Sequence, residues 1–245
     1  AIMRSWLSYA RKMMPVSSSL PPAVSSKWVA CRKSATSSIA TWTYQYFSSY
    51  CRIQMDQSAR SKTVDLGNFL LRAARLEDVP AISSIYNYYV KTSSASFSVE
   101  EETPEKRIHW FLEQKKRNMP VLVAVSKVDG QVCGYAFAAP FRDRPAYSNT
   151  VEVSIGFAKQ FTGHGLGRPL LQHLIELCKS HYRLMLALVA SDNEGSLRFF
   201  QACGFRKVGV MTAAVHKFDR YLDLAIFELD LKSEPLEQRE PDNES

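Results

Sequence analysis

The distribution of apolar and polar positions changes character near residue 68. Downstream, the pattern resolves into elements. Phe69–Arg72 is a short apolar run of strand type. Leu76–Val90 has helical spacing, with Pro80 in its first turn, where a missing N–H costs little. Thr103-Pro104 reads as a helix cap and first position, and that helix runs to about Lys116. Val121–Ser126 is almost continuously apolar, which predicts a buried strand. Asp129-Gly130 marks a tight hairpin turn, and a strand follows from Val132 to about Ala138. An irregular stretch rich in Arg, Pro and Tyr, Pro140–Asn149, leads into a strand over Val151–Phe157. Gly163–Gly167 opens a long helix to about Ser180. The remainder reads as a strand over Leu184–Val189, a helix over Glu194–Cys203 closed by Gly204, and strands over Lys207–Val215 and Leu222–Leu231.

Strands and helices are therefore mixed within one domain, residues 67–232, of α+β (mixed α/β) class. The final hairpin implies antiparallel pairing. Val151–Val189 is a strand, a helix and a strand, which makes a parallel crossover unit. Residues 233–245 form a polar, acidic tail predicted to be disordered.

Composition sets residues 1–66 apart as a basic, Ser-rich extension. Residues 1–68 hold nine Lys/Arg and two Asp/Glu, and these account for the whole net charge of +7. The rest of the chain is neutral, so no charge excess there attracts phosphate backbones, and no nucleic-acid partner is expected. Ile2, Met3, Trp6, Leu7, Ala10, Met13 and Met14 alternate with Arg4, Arg11 and Lys12, the pattern of an amphipathic basic helix. Arg-rich, Ser-rich and acid-poor composition fits an organelle transit peptide or an unstructured extension. No run of 18 apolar residues occurs, so no membrane partner is expected. Cys31, Cys51, Cys133, Cys178 and Cys203 show no metal-binding spacing, so no metal is expected, and they read as reduced thiols of an intracellular protein. The expected location is cytoplasmic, with a mitochondrial alternative through the N-terminal extension.

The chemistry concentrates in the run Thr162, Gly163, His164, Gly165, Leu166, Gly167 and Arg168. Alternate glycines let successive backbone N–H groups face one concavity, and the following helix adds its positive end. Such a turn suits a pyrophosphate. It does not match the dinucleotide fingerprint, and it lacks the Lys-Ser/Thr ending of a nucleotide-triphosphate loop. A plain strand-to-helix turn is the alternative.

Several short runs in order give the turn its context. They are Ile85-Tyr86-Asn87, Gly134-Tyr135, Phe141-Arg142 through Arg144-Pro145-Ala146-Tyr147, Thr150-Val151-Glu152, Gly163 to Leu171, Asn193-Glu194-Gly195-Ser196, Gly204-Phe205, and Lys217-Phe218 through Leu224. With these the chain resembles the GCN5-related N-acetyltransferase (GNAT) superfamily, and within it phosphinothricin N-acetyltransferase-like enzymes, from Asn68 to Leu231. The resemblance implies a central mixed, mostly antiparallel sheet with helices on both faces. It also implies acetyl-CoA as co-substrate, a small amino-acid-like amine as acceptor, and a homodimer.

Roles follow from that resemblance. The glycine turn would hold the pyrophosphate, and backbone groups near Ile155 and Phe157 would meet the acetyl group and pantetheine arm. Asn193 and Ser196 would contact the pantetheine, although Asn193 equally suits a helix cap. The amine must lose its proton to react, and Glu152, inside an otherwise apolar strand, is the expected general base. Arg142, Arg144 and Tyr147 would hold the acidic end of the acceptor, with solvated loop charges as the alternative. Phe97, Tyr88 and Tyr221 would wall its pocket. The chain departs from the pattern at Thr162, where Arg or Gln is usual, and at Phe200, where Tyr or His is usual. Competing readings are a non-catalytic acyl-CoA-binding domain and a peptide or protein N-acetyltransferase.

Overall fold

The computed structural model describes residues 63–232. The expected N-terminal amphipathic helix, targeting segment and acidic tail, together with Cys31 and Cys51, lie outside the described residues. Eight strands form one sheet in the order β1-β2-β3-β4-β5-β6-β8-β7. They are β1 Val64–Leu66, β2 Phe69–Ala73, β3 Val121–Ser126, β4 Val132–Pro140, β5 Thr150–Phe157, β6 Leu184–Ala190, β7 Arg206–Lys217 and β8 Arg220–Asp230. Every neighbouring pair is antiparallel except β5 with β6. Among the described residues four α-helices accompany the sheet: α1 Val79–Thr92, α2 Pro104–Lys116, α3 Gly167–Lys179 and α4 Glu194–Ala202.

The two faces of the sheet are covered by different helices. Leu122, Ala124, Val151, Val153, Met185, Ala187 and Phe227 pack with Leu170, Leu171 and Leu174 of α3 and Phe200 of α4 in one core cluster. On the opposite face lie α1 and α2, where Trp110 meets Phe137 of β4 with ring centroids 4.8 Å apart. Strand alternation explains this division: successive side chains of a strand point to opposite faces. Glu152 thus faces the α1 and α2 side, while its neighbours Val151 and Val153 enter the α3 core.

Local chemistry sets the ends of the elements. Thr103 Oγ1 accepts from Lys106 N at 3.3 Å, and Pro104 takes the first position of α2, as the sequence predicts. The predicted Leu76–Val90 helix is divided: Leu76–Asp78 form a tight 3-10 turn and α1 starts at Val79. Asp78 fixes that turn. It is 4% exposed, accepts from Arg75 N at 2.7 Å, and takes both prongs of the Arg72 guanidinium at 2.6 and 2.9 Å. Strand β1 is absent from the predicted elements. It pairs with β2 across Gly67-Asn68, with Gly67 at φ 72°.

The last hairpin also departs from expectation. Strands β7 and β8 run on to Lys217 and Arg220, leaving Phe218 and Asp219 as the turn. Both have positive φ, 54° and 56°, the conformation of a type I′ turn usually given to Asn-Gly.

Candidate functional site

The parallel pair β5–β6 is short. Thr150, Val151 and Glu152 pair with Leu184, Met185 and Leu186, and there the two strands part. Strand β5 stays on β4 as far as Phe157, and β6 stays on β8 as far as Ala190. A V-shaped gap therefore opens in the middle of the sheet, with Glu152 at its apex. Ala158 N donates to Cys133 O at 2.8 Å, on the β4 side. Backbone groups alternate sides along a strand, so those of Ile155 and Phe157 point into the gap. The Phe157 carbonyl accepts from the Tyr89 hydroxyl at 2.7 Å. An open edge of this kind can take up an extended chain that carries amide groups.

Beyond Phe157 the chain turns through a short 3-10 segment into the glycine run. Gly163 and Gly165 have φ of 84° and 75°, and a Cβ at either would meet nothing within 4 Å. These two are glycines for backbone shape, not for space. Gly167 is the reverse: a Cβ there would lie 3.0 Å from Phe199 Cε2, so its bare backbone lets α3 approach α4. The residue preceding α3, Leu166, is 4% exposed and offers no side-chain oxygen to the first N–H groups of the helix. Those donors and the helix's positive end are left for an anion. The turn and the gap together fit a ligand with a pyrophosphate at one end and an amide-bearing arm at the other.

The other predicted residues fall in several places. Thr162 is exposed at the mouth of the turn and meets the Tyr89 hydroxyl through its side chain. His164 is exposed, with Nδ1 3.4 Å from Thr162 O. The Arg168 guanidinium donates to the carbonyl of Ala202 at the end of α4. Its charge serves that C-terminus. Asn193 caps α4, its Oδ1 accepting from Ser196 N at 3.2 Å. Arg142 lies over the ring of Phe141 at 5.1 Å, and Tyr147 meets the same ring edge-on at 5.7 Å. Arg144 precedes the short turn Pro145–Tyr147, and all three of these predicted acceptor contacts are exposed just ahead of β5. Phe97 lines a cavity of about 430 Å³ with Trp110, Lys106 and Glu100 to Glu102. Tyr221 is 72% exposed and packs on His216 at 4.8 Å, so among the described residues it walls no enclosed pocket.

Glu152 is half-buried, and among the described residues its carboxylate has no hydrogen-bond or ion-pair partner. Burial raises its pKa above the ordinary glutamate value, because the charged form loses solvation. Phe200 is 5% exposed and packs against Phe199 and Phe205 edge-on, at 5.3 and 5.1 Å, and against a tilted Phe227 ring at 6.4 Å. The position that departs from the family pattern is thus filled by core packing. Among the described residues no group of three or more His, Cys, Asp or Glu side chains could hold a metal ion. No described helix is long and apolar enough to cross a membrane.

The model of the Acetyltransferase (GNAT) family matches residues 82–205, slightly more than half of the chain. The chain belongs to the GNAT acetyltransferase family. It is 37% identical over 170 residues to a phosphinothricin N-acetyltransferase of Alcaligenes faecalis, covering 66% of this chain and 83% of that one. It is 34% identical over 162 residues to an L-methionine sulfoximine/L-methionine sulfone acetyltransferase of Pseudomonas aeruginosa, covering 66% and 94%. A GNAT phosphinothricin acetyltransferase from Sinorhizobium meliloti, solved with acetyl-CoA, superposes with a TM-score of 0.65. Identity with that structure is 30%, over 72% of this chain and 97% of that one. This GNAT chain shares the fold of that structure, a mostly antiparallel sheet with helices on both faces.

Sequence reasoning missed the residues that tie the site together. Tyr89 is one: the aromatic proposed from this helix was Tyr88, which is 38% exposed. Helical spacing would have selected the other. Ile82 and Ile85 are buried, and Tyr89 lies seven and four residues beyond them, on the same face. Asp192 and Ser94 are others, and nothing in their local spacing marks them; Lys217 stood in a matching run, but nothing there showed which loop it holds.

Proposed function

We propose that the chain transfers an acetyl group from acetyl-CoA to the primary amine of a small amino-acid-like acceptor of the phosphinothricin and methionine sulfoximine type. The observation that carries this reading is the parting of β5 from β6 at Glu152, next to a glycine turn shaped for an anion. Relatives named for these acceptors support the substrate class.

In this reading Gly163, Gly165, Gly167 and Arg168 offer backbone N–H groups to the pyrophosphate of acetyl-CoA, with Thr162, His164 and Leu166 completing the turn. Ile155 and Phe157 orient the arm along the open strand edge, and Asn193 and Ser196 border it at the start of α4. Acetyl-CoA supplies an activated thioester when bound. Glu152 takes the proton from the acceptor's ammonium group, so that the neutral amine can form the new C–N bond as the C–S bond breaks. The second proton, shed by the nitrogen as the amide forms, passes through water to the thiolate that leaves, since Phe200 carries none to give. Arg142, Arg144 and Tyr147 steer the acidic end of the acceptor, and Phe97 borders its side chain.

The same reading makes residues 67–232 the catalytic domain and the protein cytoplasmic, with mitochondria as the alternative. It also makes the protein a homodimer. The exposed Val208, Val210 and Met211 on the edge strand β7 support that assembly.

The test is thiol release from acetyl-CoA by the full chain, with L-methionine sulfone, L-methionine sulfoximine, phosphinothricin and a panel of small amines. Amine-dependent release is expected. Release no faster than without amine would overturn the reading in favour of an acyl-CoA-binding domain.

A further inference from the structure

Three segments distant in sequence meet at Asp192. Its Oδ1 accepts from the Ser94 hydroxyl at 2.6 Å, and its Oδ2 pairs with the Arg220 guanidinium at 2.5 Å. Ser94 lies in the loop between α1 and α2 and is 8% exposed, while Arg220 opens β8. A second tie joins the same loop to the hairpin. Lys217, 3% exposed, donates from Nζ to the carbonyls of Ser93 at 2.8 Å and Ser96 at 2.6 Å. A buried ammonium group is costly unless its donors are filled, so the loop carbonyls and Lys217 hold each other in place.

What this network holds lies on both sides of the proposed reaction. The loop from Ser93 leads directly into Phe97, which lines the 430 Å³ cavity. On the other side, Asp192 is followed by Asn193, whose side chain caps α4. Helix α4 in turn packs on the glycine turn through Phe199 and Gly167. One carboxylate with two oxygens therefore links the loop on the acceptor side to the helix start on the cofactor side. Among the described residues no main-chain hydrogen bond joins the 93–97 loop to the start of α4.

We propose that Asp192 is a positioning residue that couples the two substrate sites. Through its Ser94 contact it passes the ordering of the β6–α4 junction by coenzyme A on to the 93–97 loop that borders the acceptor. The proposal rests on the reading of the chain as a coenzyme A-dependent acetyltransferase. Coupling of this kind is a difference between free and bound states, so it is measured as one.

The experiment is amide hydrogen exchange of the full chain, without and with saturating coenzyme A, for the wild type, Ser94→Ala and Asp192→Ala. In the wild type, coenzyme A is expected to slow exchange in the 93–97 loop at least fivefold. It also slows exchange in the glycine turn. In both variants the glycine turn still responds, but the loop response falls below twofold. A residue with a merely structural role would raise loop exchange equally with and without coenzyme A, leaving their ratio unchanged. Loop protection in Ser94→Ala equal to the wild type overturns the proposal, as does a wild-type loop that ignores bound coenzyme A. Failure of the glycine turn itself to respond in the wild type would sink the acetyltransferase reading, and this proposal with it.

Discussion

The Tyr89 hydroxyl donates to the Phe157 carbonyl at 2.7 Å, across the end of the strand that borders the gap. It also meets the side chain of Thr162, at the mouth of the glycine turn. One phenol on α1 thus pins both the strand edge and the turn that the proposed cofactor would occupy. Burial raises its pKa, so it remains a donor throughout the physiological range.

Tyr89→Phe removes that hydroxyl and little else. Losing its bond to the Phe157 carbonyl and its contact with Thr162, at about 1 kcal/mol or more in all, weakens acetyl-CoA binding at least about fivefold. The expected signature is a raised KM for acetyl-CoA with kcat nearly unchanged. A fall in kcat with unchanged KM would show that the phenol acts in the chemistry instead.

As the proposed general base, Glu152 is expected to set the pH dependence of the reaction. Its raised pKa places the acid limb of the kcat/KM profile above the ordinary glutamate value. Activity rises with pH through that limb as the carboxyl loses its proton. The sign for stability is opposite. The folded state holds this proton more tightly than the unfolded one, so the contribution of Glu152 to stability declines as pH rises from the unfolded pKa through the folded one. Glu152→Gln is expected to lower kcat/KM about 100-fold or more, remove the acid limb, and flatten that part of the stability profile. Retention of the limb in this variant would assign it to another group.

The glycines of the turn divide by mechanism. Gly163→Ala meets no neighbour but forces alanine to φ 84°, whereas Gly167→Ala accepts its backbone but presses on Phe199 at 3.0 Å. The first change distorts the anion cradle at a cost of about 1 kcal/mol and weakens coenzyme A binding several-fold, with a small change in Tm. The second is expected to lower Tm more than it lowers affinity. Calorimetric titration beside thermal melts separates the two, and identical profiles would refute the distinction.

Lys115 on α2 is 7% exposed, and burial lowers its pKa to about 8. The folded state therefore holds this proton less tightly than the unfolded state, whose lysine keeps the ordinary 10.5. Stability is expected to rise with pH between about 8 and 10.5 on account of this group. Lys115→Met, which keeps the length of the side chain, should remove that part of the slope in urea unfolding measured across the range. An unchanged slope would mean that Lys115 titrates normally.

The fold was largely legible because its elements follow simple periods. Helix α2 begins at the Thr103-Pro104 signal and ends at Lys116, and β3 coincides with its apolar run. Strand β1 was missed although Gly67-Asn68 is itself a hairpin signal, because three residues are too few for an alternation to stand out. The β7–β8 turn was placed too wide. Phe218 and Asp219 adopt a left-handed conformation that local sequence disfavours and that long strand pairing imposes. In the site, the glycine run and Glu152 could be found because each stands out against its own neighbours. The ties of Ser94 to Asp192 and of Lys217 to Ser93 and Ser96 could not, since each joins residues about 100 or more positions apart. Those pairings exist only once the sheet has brought the loops together. Arg168 shows the same limit in reverse: its place beside the turn was readable, but the direction of its guanidinium was not.

The parting of β5 and β6 has a mechanical side. All direct strand pairing between the two antiparallel halves of the sheet passes through three rungs, Thr150 to Glu152 against Leu184 to Leu186. A chain laid along the open edges would act as the missing rungs. Loading the cleft would thus splice two half-sheets into a single beam, and the stiffness of the molecule across its middle would depend on what it carries.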